Sequence, residues 1–300
     1  MDKQNIIIIG GSSYIGLQLA DFLQENNTVT ATYRNTCVFP KKISSVKLDL
    51  YEKNCFDVLG NKVFDTMIWC AQSTNYSQSI ENFDSMFNVN VAGMQKALEY
   101  CKKNNIKHLV YLSSGTVYEN LGVIQRLNEQ AEITQKSFYG LTKYMAERLC
   151  NQYASEDLKI TVLRPFSVYG KNQNGKLIPR IWQKIINKQP VVLNQGIGMY
   201  FTALYVVDLI KAIAYVIANP TKQKIDIYNI ANEEIISLKD VCHKIAKIEN
   251  IELNIQYSND EINYSIADIE KIKSVLPGFN YTSIDDGLMS MSQRLVTCAE

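Results

Sequence analysis

The chain has 300 residues, enough to bury a sizeable core in one large domain or two interleaved ones, and 46% of them are apolar, an ordinary share for a globular protein. Lys and Arg number 31 against 30 Asp and Glu, a net charge of +1, which gives no electrostatic case for nucleic acid or an anionic membrane as partner. No apolar stretch reaches the ~18 residues of a membrane span, and the N-terminal apolar run is too short for a signal peptide, so the expected location is cytoplasmic.

The elements alternate through the first half. Ile6–Ile9 reads as a strand by its β-branched run, and Ile15–Leu23 has apolar residues at helical spacing. Thr28–Tyr33 reads as a second strand, Val46–Leu48 as a third and Thr66–Cys70 as a fourth. Phe87–Cys101 has a long helical pattern, Leu109–Leu112 is a fifth strand, Tyr139–Tyr153 a helix and Ile160–Leu163 a further strand. This order predicts an α/β fold: a Rossmann-type, doubly wound parallel sheet with helices on both faces. After Arg164-Pro165 the pattern loosens. One helix is expected at Ile178–Asn187, and Leu204–Val216 and Asp226–Ile230 read as returns to the sheet domain. The expected division is a dinucleotide-binding domain at 1–170 plus about 200–232, with a small interleaved substrate domain at 171–199 plus 233–300.

The first strand runs into "GGSSYIG". Gly10 permits a sharp turn and Gly16 a close helix–strand approach, so that backbone N–H groups and a helix N-terminus face an anion. Ser13 stands where a second spaced glycine is usual. Ser12 or Ser13 can cap the helix and bond a phosphate. At the end of the second strand a carboxylate would mark NAD, but Tyr33 and Arg34 stand there. A guanidinium pairs well with a 2′-phosphate, so NADP(H) is favoured, with NAD(H) the alternative. Asp49 closes the third strand and can reach an adenine edge or serve as a turn residue. Gln72, Ser73 and Thr74 follow the fourth strand, at the edge of the sheet where ligands bind.

Tyr139 and Lys143 are four residues apart on one helix face, and "YLSSGTVYE" follows the fifth strand. Tyrosine is a poor acid or base at neutral pH, with a pKa of about 10, but a neighbouring ammonium favours its phenolate. Tyr139 can then move a proton to or from an alcohol oxygen, with Ser114 bonding the same oxygen and Lys143 also holding the cofactor ribose. The seven cysteines (Cys37, Cys55, Cys70, Cys101, Cys150, Cys242, Cys298) form no C-x-x-C pair, and His108 and His243 are the only histidines, so neither a metal site nor a disulfide framework is expected. His108 reads as structural, Trp69 as core and "KKNNIK" at 102–107 as a solvated helix end.

Taken together, these stretches resemble the NAD-dependent epimerase/dehydratase family of extended short-chain dehydrogenase/reductases, which mostly act on nucleotide sugars. The likeness runs through "GGSSYIG", "KLDL", "NVNVAG", "SSGTVYE", "YGLTKYMAE", "LRPFSVYG", "YVVDLIKAI" and "YNIAN". It implies a catalytic set of Ser114, Tyr139 and Lys143. For the cofactor it implies Gly10, Ser12, Ser13, Tyr14, Ile15, Gly16, Tyr33, Arg34, Asp49, Leu50, Ala71, Asn90, Pro165 and Ser167 alongside Tyr139 and Lys143. The substrate candidates are Ser114, Gly115, Thr116 and Phe166, with Gln72, Ser73 and Thr74 able to bond the hexose or simply to close a loop. It also implies a homodimer built on the helices at 87–101 and 139–153, with Met86, Met94 and Leu98 candidates for the pairing face or the core.

Departures from the family pattern narrow the reaction. Gly115 and Thr116 replace the Asp-Glu pair that sugar 4,6-dehydratases resemble one another in, and no Cys stands where ring epimerases of the GDP-fucose synthase kind carry one. Two reactions remain for Ser, Tyr, Lys and a nicotinamide: reduction of a 4-keto sugar, or C4 epimerisation by oxidation, rotation and re-reduction. Arg34 without an acidic neighbour favours NADPH-dependent reduction of a nucleotide-linked 4-keto-6-deoxyhexose, with the NAD-dependent C4 epimerase second. A non-catalytic dinucleotide-sensing module is the alternative from another class; the paired Tyr139 and Lys143 weigh against it. The arginine that relatives use on the substrate diphosphate is missing near Phe201–Thr202, which leaves Lys171, Lys176 and Arg180 as the nearest cations.

Overall fold

The computed structural model describes residues 3–74, 80–118, 124–133 and 137–292. In chain order the elements begin with β1 (Asn5–Ile9), α1 (Tyr14–Leu23), β2 (Thr28–Tyr33), β3 (Ser44–Lys47), β4 (Thr66–Trp69) and α2 (Ile80–Met86). A wide π-helical turn at Phe87–Ala92 leads into α3 (Gly93–Lys103), then β5 (His108–Leu112), α4 (Phe138–Tyr153) and β6 (Lys159–Pro165). There follow β7 (Val168–Tyr169), α5 (Leu177–Ile186), β8 (Val191–Asn194), β9 (Met199–Thr202), β10 (Leu204–Tyr205), α6 (Val206–Ala218) and β11 (Ile225–Ile230). The chain continues through β12 (Ile235–Ser237), α7 (Leu238–Glu249), β13 (Ile255–Ser258), β14 (Asn263–Ser265), α8 (Glu270–Val275) and α9 (Ile284–Met289). No described helix is long and apolar enough to cross a membrane.

Seven strands form one sheet in the order β11-β6-β5-β4-β1-β2-β3, and β1 pairs in parallel with both β2 and β4. The pairings β2–β3, β4–β5 and β5–β6 are parallel as well. Both faces of such a sheet are covered, which is why Ile6 to Ile9 can all be apolar and all fully buried. The strand order reverses between β2 and β4 on either side of β1, so the crevice at the C-terminal ends of β1 and β4 is the expected ligand position.

Two compact units divide the chain. The first comprises Met1–Glu119, Glu132–Arg164 and Ile210–Tyr228; the second comprises Asn120–Ala131, Pro165–Leu209 and Asn229–Glu300. The change of unit thus falls at Pro165 instead of 170, within β6, and a segment near 120–131 joins the second unit. In the first unit, Ile7, Met67, Trp69, Leu109 and Val162 from the sheet pack with Met94, Leu98 and Cys101 from α3 and Ala146 and Cys150 from α4. Met86, Met94 and Leu98 are fully buried, so they serve the core and not a pairing face. In the second unit, Ile181, Trp182 and Ile185 of α5 pack with Val241 and Ile245 of α7 and with Phe201 of β9. The start of α7 is fixed by a capping box, in which Ser237 accepts from Asp240 N at 3.0 Å while the Asp240 carboxylate receives the Ser237 N–H.

Several boundaries differ from the sequence reading. The third strand ends at Lys47, so Asp49 lies in the loop beyond it. The helical pattern expected over Phe87–Cys101 is interrupted: Gly93 N–H donates to Asn88 O, five residues back, and α2 precedes the wide turn. Over Leu204–Val216, expected to return to the sheet domain, the chain forms the two-residue strand β10 and then α6. His108 is the first residue of β5, 4% exposed, with Nε2 bonded to Thr161 Oγ1 at 2.9 Å. Cys298 lies outside the described residues.

Candidate active site

The first strand–helix turn is shaped by positions that exclude a side chain. Gly10 has φ +76°, and a Cβ there would stand 2.6 Å from the Ala71 backbone. A Cβ on Gly16 would meet Gly10 O at 2.5 Å. The turn is tied to β2, since Gly10 N–H donates to Thr32 Oγ1 at 2.9 Å and Ser12 N–H to Thr32 O at 3.1 Å. Ser13 caps α1: its Oγ accepts from Gly16 N–H at 3.2 Å. Tyr14, Ile15 and Gly16 form the first turn of that helix.

A cavity of about 390 Å³ opens from this turn. Gly10, Ser12 and Ser13 line one side, Tyr33 and Arg34 the end of β2, and Asp49 and Leu50 the loop after β3. Ala71, Gln72, Ser73 and Thr74, from the end of β4, close the remaining side. Asp49 lines the cavity, and its Oδ1 accepts from Tyr51 N–H at 3.1 Å as a turn residue. A dinucleotide fits this donor set: a turn held free of Cβ atoms, the half-buried N-terminus of a ten-residue helix and an adjoining cavity on the switch point of the sheet.

Farther along the sheet, α4 begins against the loop after β5. Ser137 caps it by accepting from Gly140 N–H at 2.9 Å, and a Cβ on Gly140 would stand 2.4 Å from Thr116 O. That close packing sets Tyr139 and Lys143 beside the Ser113–Ser114 loop. Ser114 Oγ accepts from Thr116 N–H at 3.2 Å and from Thr116 Oγ1 at 2.9 Å. Lys143 is 3% exposed, its Nζ donating to Leu112 O at 2.8 Å and lying 5.8 Å from the Tyr139 ring centre and 5.2 Å from that of Tyr111. The Lys143 ammonium thus lies beside the Tyr139 ring, where its charge can be felt. Burial pushes the Tyr111 phenol well above its usual range, and it pushes the Cys70 thiol up to about 12 against the pull of Lys143, so neither neighbour competes as a base at neutral pH. The Tyr139 hydroxyl donates to Gln72 Oε1 at 2.8 Å.

One buried amide joins the two halves of the site. Asn90, in the π-helical turn, accepts from Ser73 N–H at 3.3 Å and donates from Nδ2 to Thr142 Oγ1 at 3.0 Å. Thr142 Oγ1 in turn donates to Tyr139 O at 3.1 Å. Asn90 was expected at the cofactor; at 1% exposure it contributes through these two bonds.

The family model for the NAD dependent epimerase/dehydratase family matches residues 6–231. The chain belongs to that family. Among its relatives is a chain of Bacillus subtilis (strain 168) named uncharacterized UDP-glucose epimerase YtcB, 25% identical over 94% of this chain and 95% of that one. The UDP-glucose 4-epimerase of Yersinia enterocolitica is 27% identical over 64% of this chain and 65% of its own. MoeE5, solved in complex with UDP-glucose and NAD, superposes with a TM-score of 0.85 over 99% of this chain and 100% of its own, at 24% identity.

Within this epimerase/dehydratase frame, a buried network that the sequence reading did not bring out stands behind the candidate catalytic residues. Glu147, four residues beyond Lys143 on the same helix, accepts from Arg164 Nε at 2.9 Å, from Arg164 Nη2 at 2.6 Å and from Ser113 Oγ. Arg164 Nη1 donates to Tyr118 OH at 2.6 Å, and its guanidinium lies 4.9 Å from that ring. Burial works against the charge on Arg164, but Glu147 and Tyr118 more than offset it, and the guanidinium holds its proton more tightly than usual. The available sequence signal was the i, i+4, i+8 series Tyr139, Lys143, Glu147 on one face, with an arginine immediately before Pro165.

The remaining expected residues belong to the second unit. Pro165 ends β6, Phe166 is 1% exposed, and Ser167 has φ +37°, a left-handed conformation unusual for serine, with its carbonyl accepting from Leu204 N–H. Lys176 is the N-cap residue of α5, and Arg180 is exposed one turn on. Burial first, and Arg180 second, lowers the pKa of the Lys176 ammonium. Phe201, near which the family resemblance implied an arginine, is fully buried in the core of this unit.

Proposed function

We propose that the protein interconverts the C4 epimers of a nucleotide-diphosphate sugar, with NAD as a recycled cofactor. The observation that carries this reading is the Tyr139–Lys143 pair at the sheet edge beside the dinucleotide cavity, with Ser114 on the adjoining loop. Relatives named as UDP-glucose epimerases, and a structural neighbour holding UDP-glucose and NAD, support the epimerase over the 4-keto reductase expected from Tyr33-Arg34. They also favour NAD over NADP(H) as the cofactor.

Gly10, Ser12, Ser13 and the N-terminus of α1 would hold the cofactor diphosphate, while Arg34, Asp49 and Leu50 line the adenosine side. Bound NAD would supply the acceptor and donor of the hydride at the sugar C4. Lys143 favours ionisation of Tyr139 by its charge. Tyr139 removes the proton from the O4 hydroxyl and later returns it to the same oxygen on the opposite face of the sugar. Ser114 bonds that oxygen through both events. The loop residues Gly115 and Thr116 carry no group able to abstract a ring proton, which leaves C5 and C6 untouched. Gln72, Ser73 and Thr74 contribute polar contacts to the hexose, and Lys176 and Arg180 are the proposed cationic partners of its diphosphate.

Incubation of the purified protein with UDP-glucose, UDP-galactose and their N-acetyl and uronic acid counterparts, followed by chromatography of the released sugars, tests the reading. Interconversion without net consumption of cofactor is expected. Stoichiometric oxidation of NADPH by a nucleotide-linked 4-keto sugar, with no epimer formed from any of the stable substrates, would restore the reductase.

A further inference from the structure

The residue facing the catalytic hydroxyl is a carboxamide, and its position is built, not incidental. Gln72 is flanked by Ala71, pressed against the Cβ-free face of Gly10, and by Ser73, whose N–H is held by Asn90. Ser73 Oγ also shares a 2.9 Å hydrogen bond with Ser85 Oγ. On the other side, Tyr139 is held through Thr142 to the same Asn90. One buried side chain thus fixes the backbone on both sides of the 2.8 Å contact between Tyr139 OH and Gln72 Oε1. A carboxamide oxygen accepts only from the protonated phenol.

We propose that Gln72 is a positioning residue for the Tyr139 proton: its Oε1 receives the phenol O–H while the oxidised sugar turns over in the site, and releases it when the carbonyl oxygen returns. The proton stays on the Tyr139 oxygen throughout, and only its hydrogen-bond partner changes. The role rests on the epimerase reading, in which the same hydroxyl must take up a proton, wait, and give it back to one oxygen presented from two faces. Without an acceptor at Gln72, the phenol would be directed at the carbonyl at once, favouring return to the starting epimer. Among the described residues, these charged and titratable groups lie near Tyr139. Lys143 is the nearby cation on α4, Tyr111 on β5 and Cys70 at the end of β4 stay neutral, and Glu147 lies two turns along α4, neutralised by Arg164.

The ionisation of Tyr139 can be read without substrate. The phenolate absorbance of the protein is titrated and that of Tyr139→Phe subtracted, and the pair is repeated in the Gln72→Leu and Gln72→Glu backgrounds. Loss of the acceptor in Gln72→Leu should lower the Tyr139 midpoint by about half to one pH unit. The carboxylate of Gln72→Glu should raise it, by accepting from the phenol and repelling the phenolate. A space-filling role alone would not move the midpoint in opposite directions. An unchanged or raised midpoint in Gln72→Leu overturns the proposal, the latter because it would mean the amide nitrogen serves the phenolate. If Gln72→Leu does not fold, an unmoved or lowered midpoint in Gln72→Glu overturns it. Because no sugar is present, failure here leaves the epimerase assay untouched, and an inactive sugar panel leaves this titration standing.

Discussion

Glu147→Ala removes one carboxylate from a place where the chain cannot replace it. Glu147 and Arg164 are 2% and 1% exposed, and the two bonds between them are short and parallel. After the substitution the guanidinium stays enclosed with Tyr118 as neighbour, and Ser113 Oγ loses its acceptor. Breaking a buried pair from one side costs about 3–5 kcal/mol, a large part of the roughly 5–15 kcal/mol that holds a protein of ordinary stability. With a urea slope of about 3 kcal/mol/M, the unfolding midpoint should fall by about 1 M or more. Replacing both partners, as Glu147→Leu with Arg164→Met, should recover most of that loss, because no uncompensated charge remains. The assay is urea unfolding of the two single variants and the double variant, followed by intrinsic fluorescence. A loss below about 1 kcal/mol for Glu147→Ala, or a double variant that loses the sum of the singles, would refute the account of a desolvated, mutually dependent pair.

Three further outcomes follow. Tyr139→Phe should retain NAD binding by calorimetry but lose about 10²- to 10⁴-fold in kcat; turnover within a few-fold of the parent would remove Tyr139 as the proton carrier. Gly16→Ala places a Cβ 2.5 Å from Gly10 O, so the turn must open and NAD affinity should fall beyond detection in the same titration; undiminished affinity would mean that the turn does not hold the cofactor. His108 is held down to about 4 by burial, from an ordinary 6.5, so the unfolded chain binds the extra proton between those values. Stability linked to His108 is therefore complete above about pH 6.5 and declines by about 3 kcal/mol as pH falls towards 4; His108→Gln should flatten this slope in urea midpoints measured across the range, and an unchanged slope would assign it to other groups.

The strands were the most legible part of the fold. Continuous β-branched runs such as Ile6–Ile9 and "TVTATY" have one physical use in an alternating chain, and β2 matches its expected span residue for residue. The helix expected over Phe87–Cys101 could not be placed correctly, because a π-turn adds a residue without altering the apolar pattern that advertises a helix. Asp49 shows a related limit: the end of a short strand is set by its pairing with β2 and not by its own composition. In the site, Tyr139, Lys143 and Ser114 were readable from spacing and the loop after β5. Gln72 was readable only as a polar residue at the sheet edge. Its bond to Tyr139 joins positions 67 residues apart through Asn90, and no local period records that. The Glu147–Arg164 pair was hidden similarly, since a carboxylate on a helix and an arginine on a strand each look like surface charges until the sheet brings them together.

The order in which the chain delivers its strands has a consequence for synthesis. The outermost strand beside β6 is β11, and its residues Ile225–Ile230 emerge only after Pro165–Leu209 of the second unit has left the ribosome. Until then β6 ends the sheet with its outer backbone N–H and C=O groups unpaired, a template for another nascent chain. A fragment ending near Arg164 would carry Ser114, Tyr139 and Lys143 and still present that sticky border, so aggregation is the expected outcome for it.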